Sequence, residues 1–208
     1  MPVSYNKIAG QSVERLAALS DGVFAVAMTL LLLELHTPAR DVIHSESDLL
    51  HAMAAFWPQL AVYLMSFLTL GIFWMGQQTQ LNYLQRSDRN LSWLHLAFLF
   101  AVTLMPVSTR LLTEFAQYRS ALLAYWANIL LLGVILYLSW GCATRAHLIQ
   151  DEIPPEVPSA ICRRIVVGQV LYAFGALLCV FNSYWSIAFI VLVQMYFAIA
   201  PRLGGREA

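Results

Sequence analysis

Five long apolar stretches decide what this chain can become. They run from about Arg15 to Leu35, Ala52 to Gly76, Leu91 to Leu112 and Ala121 to Ala143, and then almost unbroken from Ile165 to Ala200. A helix needs about 20 mostly apolar residues to cross a bilayer core about 30 Å thick. Each of the first four stretches meets that need once. The fifth holds 36 residues, about 54 Å of helix and too long for one crossing. Asn182-Ser183 near its middle reads as a turn. The expected architecture is therefore all-α and polytopic. It is one membrane domain over 1–208 with six spans, about 15–35, 52–76, 91–112, 121–143, 162–181 and 183–201.

Composition agrees with the spans. Hydrophobic residues make up 60% of the chain and charged residues 12%, where a soluble domain carries about 25% charged residues. Twelve basic and twelve acidic residues cancel, so no basic field attracts nucleic acid. The positive-inside rule sets the orientation. With both termini cytoplasmic, the inside holds Lys7, Arg15, Arg86, Arg89, Arg145, Arg163, Arg164, Arg202 and Arg206. The outside then holds only Arg40, Arg110 and Arg119.

The connections are also legible. The first twelve residues are polar, and Arg15 and Asp21 interrupt the first apolar stretch, so no cleavable signal peptide is expected. Thr37–Leu50 reads as an outer loop, and Gln150–Ser159, with three prolines and three acids, as a linker. No internal repeat is visible. Cys142, Cys162 and Cys179 match no metal or redox spacing and read as small buried hydrophobes.

Asp21 is the residue a membrane should tolerate least, since a carboxylate inside a span costs about 2.5–3.5 kcal/mol on insertion scales. Its position calls for partners on neighbouring helices. Trp74, Gln77 and Gln78 end the second span, and Trp93 and His95 begin the third, so all lie at similar depth. The expected arrangement is an interhelical knot of Ser20, Asp21, Trp74, Gln77 and His95, with Gly22 allowing close helix approach. His95 reads as a network member and not as a metal ligand. His36, His44 and His51 read as solvated residues of the outer loop, and His147 belongs to no site. Pro58 and Pro106 fall inside spans and are expected to kink them. The six tryptophans read as an aromatic belt at the span ends.

Enzyme chemistry has no foothold. No phosphate loop, nucleophile elbow, H-E-x-x-H or paired intramembrane carboxylates are present. No cofactor or metal is expected. The T-V-G-Y-G filter of ordinary potassium channels is also missing, as are the matched broken helices of many secondary transporters.

RLAALSDGVFAVAMTLLLLEL (15–35) closely resembles the first-helix signature of the transmembrane protein 175 family, an Arg followed after three residues by Phe-Ser-Asp-Gly. Arg15, Ser20, Asp21 and Gly22 carry that likeness. It continues through YLMSFLTLGIFWMGQQ (63–78) and LSWLHLAFLFAVTLMPVSTRLL (91–112). The resemblance implies a bacterial inner-membrane cation channel, homotetrameric, whose first helix lines a potassium pore narrowed by apolar rings. By position, the rings fall on Val26, Leu30 and Leu33, and a selectivity-linked threonine on Thr29. At about 100° per residue from Gly22, these four lie at about 40°, 340°, 80° and 20°, one stripe, while Asp21 lies at about 260°. Any all-apolar helix contains such a stripe, and Thr29 can also bond back to the carbonyl of Ala25. The chain departs from the family pattern at Leu19 (Phe), Val26 (a larger aliphatic), Gln77 and Gln78 (often His) and His95 (often Asn). The alternatives are a proton channel or proton-coupled transporter working through Asp21 and His95, or a membrane scaffold that conducts nothing.

Overall fold

Every described span is helical because a backbone in lipid must satisfy its own hydrogen bonds. The computed structural model describes residues 12–36 and 43–199. Helix α1 covers Val13–Leu33, α2 Glu46–Asn82, α3 Arg89–Thr103, α4 Met105–Glu114, α5 Arg119–Arg145, α6 Glu156–Leu177 and α7 Ser183–Ile199. A single 3-10 turn, Leu178–Val180, joins α6 to the α7 connection. Because α3 and α4 form one rod, the described residues fold as six helical rods. Five of them are long and apolar enough to span a membrane, and α7, at 17 residues, is the shorter sixth. Lys7, Arg40, Arg202 and Arg206, together with the ends of the outer loop and of the sixth span, lie partly or wholly outside the described residues.

Local signals set the helix ends. Ser12, Ser45 and Asp88 each accept a backbone N–H in the first turn of α1, α2 and α3, which satisfies donors that the helix leaves open. The Ser45 cap carries α2 well beyond the expected 52–76. Its 37 residues measure about 55 Å, so both ends project from a core about 30 Å thick. Pro58 sits inside α2 without ending it. Pro106 lies in the first turn of α4, and the third rod breaks at Leu104 just before it, because proline cannot donate to the preceding turn. The acidic linker is shorter than its sequence suggests. Helix α6 starts at Glu156, with Pro158 in the first turn, where its missing N–H costs nothing.

The rods pack in a connected bundle. α1 lies on α2 and α3, α3 and α4 lie on α5, α5 lies on α6, and α7 fills in against α2. Phe24, Phe98 and Phe73 interlock at the α1–α3–α2 junction, with ring centroids 6.1 and 6.4 Å apart. At one end of the bundle the α2–α3 and α5–α6 connections are tied together. Gln85 N–H donates to Leu148 O at 2.9 Å and Gln150 N–H to Tyr83 O at 3.0 Å. The chain reaches that tie through His147, which takes a left-handed φ of 51° just past the end of α5, the place where glycine commonly ends a helix. At the other end Arg119 donates to Val180 O at 2.8 Å and anchors the α6–α7 turn.

Several expectations need correction. Trp57, Trp93 and Trp185 are exposed, but Trp140 is buried and donates to Pro158 O at 3.3 Å. Trp74 is also taken up by a specific bond, described below. Cys179 is buried, whereas Cys142 and Cys162 are only partly so.

Candidate functional site

The two faces of α1 have opposite surroundings. Ser20, Phe24, Ala27 and Leu31 are buried and lie about 140° around the helix from the stripe of Val26, Thr29, Leu30 and Leu33. That stripe points away from the chain's own bundle. Val26 is 57% exposed, Leu30 42% and Leu33 70%, and Thr29 is exposed as well. Only 22% of the apolar window of α1 is buried, against 50% of that of α5. Grooves run along both flanks of the helix. One is bordered by Leu19, Gly22, Val26 and Leu30 with Thr103 and Pro106, the other by Asp21, Ala25 and Met28 with Phe67, Gly71 and Met75.

Thr29 Oγ1 donates to Val26 O at 2.8 Å, three residues back, and not to the Ala25 carbonyl that was the other acceptor open to it. Threonine in a helix divides between these two acceptors. The bond leaves the Oγ1 lone pairs free on the exposed stripe. Gly22 does not mark a close approach within the chain, because a Cβ placed there would meet nothing within 4 Å.

The polar residues behind the stripe form two clusters, not one knot. In the first, Trp74 Nε1 donates to Asp21 Oδ1 at 2.8 Å and Gln78 Nε2 donates to the same oxygen at 2.7 Å. In the second, Ser20 Oγ lies 2.8 Å from His95 Nε2, and Gln77 Nε2 lies 3.2 Å from His95 Nδ1. His95 Nε2 also reaches Leu16 O at 3.0 Å. The Gln77 nitrogen can only donate, so the ring proton sits on Nε2, between the Leu16 carbonyl and the Ser20 hydroxyl. Helix rotation explains the division. Ser20 and Asp21 are about 100° apart on α1, and so are Gln77 and Gln78 on α2, whereas Trp74 and Gln78 share a face. Gln78, not Gln77, is therefore the partner of Asp21. Arg15 enters neither cluster; its backbone N–H meets the Ser12 cap and the residue is exposed.

A third polar cluster lies deeper and was not foreseen. Thr109 Oγ1 donates to Ser66 Oγ at 2.8 Å, Ser66 Oγ to the Tyr125 hydroxyl at 3.3 Å, and Gln194 Nε2 to Thr69 Oγ1 at 2.6 Å. Thr69 Oγ1 also lies 3.1 Å from the Tyr125 hydroxyl. The cluster ties α2, α4, α5 and α7 together. Gln194, an amide near the end of the last apolar stretch, was a sequence signal for it. Glu34 and Glu114 face Arg110 at the end of α1, at 3.9 and 2.8 Å. Among the described residues no group of three or more His, Cys, Asp or Glu is placed to hold a metal.

The chain has clear relatives. Residues 15–106 match the family model described as endosomal/lysosomal potassium channel TMEM175. A protein of Streptomyces collinus named as a potassium channel is 31% identical, over 88% of this chain and 90% of its own length. The human endosomal/lysosomal proton channel TMEM175 is 26% identical over 88% of this chain, which spans 36% of that longer protein. A crystal structure from Chamaesiphon minutus, described as a lysosomal potassium-selective channel TMEM175 homologue, superposes with a TM-score of 0.76 at 26% identity. The match covers 93% of this chain and 98% of that one. The shared signature on α1, the extent of these matches and the common helical fold together place the chain in the TMEM175 family.

Proposed function

We propose that the chain is a potassium-permeable cation channel whose pore is lined by α1 from several copies. The observation that carries this reading is the stripe of Val26, Thr29, Leu30 and Leu33, which the described residues of the chain's own bundle leave largely exposed. The relatives named as potassium channels support the choice of ion. Four copies of α1 around an axis would surround a narrow path. Rings of Val26, Leu30 and Leu33 would gate it by dewetting, and Thr29 would offer the oxygen ring between them. Conduction is passive and needs no cofactor and no chemical step. The whole chain would act as one six-span domain in a bacterial inner membrane, with both termini cytoplasmic, contacting lipid on its outer helices.

Asp21 and the Ser20–Gln77–His95 cluster serve in this reading to hold α1 against α2 and α3. They do not form a proton path, because Asp21 and His95 belong to separate clusters on different sides of α1. Val26→Trp or Leu30→Trp should cut potassium flux into liposomes about tenfold or more while the protein remains tetrameric. Unchanged flux in a tetramer would remove the pore assignment. A reversal potential that follows the proton gradient and ignores potassium would favour the proton channel.

A further inference from the structure

Helix α6 leaves a crevice against α2 that the channel reading does not use. Its walls are Ile72 and Gly76 from α2, Leu136 from α5, and Ile165, Gly168 and Tyr172 from α6, with Arg164 near one end. Arg164 and Tyr172 are eight residues apart on α6, about 12 Å of helix, and both border the crevice. Apolar side chains make up most of its wall, with Thr79, Gln80 and Gln169 also bordering it. Gly168 opens it: a Cβ added there would meet nothing within 4 Å. α6 is also the least covered of the five long rods, with 17% of its apolar window buried, and Val166, Val167 and Val170 beside the crevice are exposed.

Arg164 is exposed and has no carboxylate within ion-pair distance among the described residues. Arg163, the preceding residue, is exposed too but points about 100° away around the helix and does not line the crevice. A guanidinium at the edge of a hydrocarbon layer turns its charge toward the headgroups and its stem along the apolar wall. It also binds phosphate in a two-pronged fashion.

We propose that this crevice is a binding site for an anionic phospholipid, its phosphate on Arg164 and one acyl chain between α2 and α6 past Gly168. The crevice supplies the apolar length, and the unpaired cation selects the charge. The proposal rests on the membrane-spanning reading of α6 but not on ion conduction, and its test measures lipid and not flux.

The full-length protein is taken from mixed phosphatidylglycerol and phosphatidylcholine nanodiscs and delipidated gently. The retained lipid is then weighed by native mass spectrometry. Phosphatidylglycerol should be retained several-fold over phosphatidylcholine. Arg164→Gln should weaken that preference about fivefold, matching roughly 1 kcal/mol per basic side chain at an anionic surface. Gly168→Leu, which grows into open space, should lower retention of both lipids with the melting temperature unchanged. Equal retention of the two lipids, or an Arg164→Gln protein that keeps its preference, would overturn the proposal. So would release of the lipid by inorganic phosphate alone, which would reduce the site to a bare anion contact.

Discussion

Asp21 directs one carboxylate oxygen at two donors on α2, the Trp74 indole and the Gln78 amide. Hydrogen bonds to a charged group contribute about 1.5–3 kcal/mol, roughly twice a neutral one. Asp21→Asn keeps an acceptor but loses the charge, so it should lower the melting temperature or the assembly of the proposed tetramer more than it alters the potassium-over-sodium ratio. Inverted selectivity with normal stability would show instead that Asp21 acts on the ion. That Asp21 needed a partner on α2 was legible, because its charge and depth were. The choice between Gln77 and Gln78 was not, since it depends on the rotation of α2 about its axis. Ser66, Thr69 and Thr109 were missed for a related reason. Small hydroxyl residues usually satisfy themselves on their own helix, and all three do touch a carbonyl on their own helix. Only the convergence of Ser66 and Thr69 on Tyr125, with Thr109 bonded to Ser66, reveals a shared cluster.

At the scale of the elements, length and hydropathy placed the rods, while turn chemistry set their ends. The α6–α7 hairpin shows how closely two rods can be forced together. A Cβ on Gly175 would lie 2.8 Å from Ile190 Cγ1 and 3.1 Å from the Phe189 ring, and Ile190 is fully buried. The Ser186 hydroxyl donates to the Gly175 carbonyl across the same gap. Gly175→Ala should therefore destabilise the protein by about 1–3 kcal/mol through overpacking. Adding Ile190→Ala, which removes Cγ1 from the clash and leaves a cavity of its own, should give a double variant less destabilised in thermal unfolding than the sum of the two single substitutions. If the two substitutions simply add, the rods are not in the contact described. The break at Leu104 shows the opposite case, an end set locally, because Pro106 disrupts the third rod whatever packs around it.

For the whole molecule, the apolar outer faces of α3 and α4, with Trp93, Phe100 and Val107 exposed, and the uncovered stripe of α1 leave different surfaces on the two sides of the first helix. Contacts between unlike faces of successive copies form a ring when the rotation between them closes, and the channel reading proposed above calls for such a ring of four. Its mass in mild detergent should therefore correspond to four chains, and a monomer would leave no pore to line. The sequence alone determined that the chain spans a membrane, roughly where each rod lies and which residues mark the family. Those properties follow from local hydrophobicity and from a contiguous motif. Tertiary structure decided which side of each rod faces protein. It placed Ser20, Phe24, Ala27 and Leu31 inside and left Val26, Thr29, Leu30 and Leu33 outside. An all-apolar helix looks alike on every side until its neighbours are in place, so only packing separates a core face from a face turned toward lipid or an ion path.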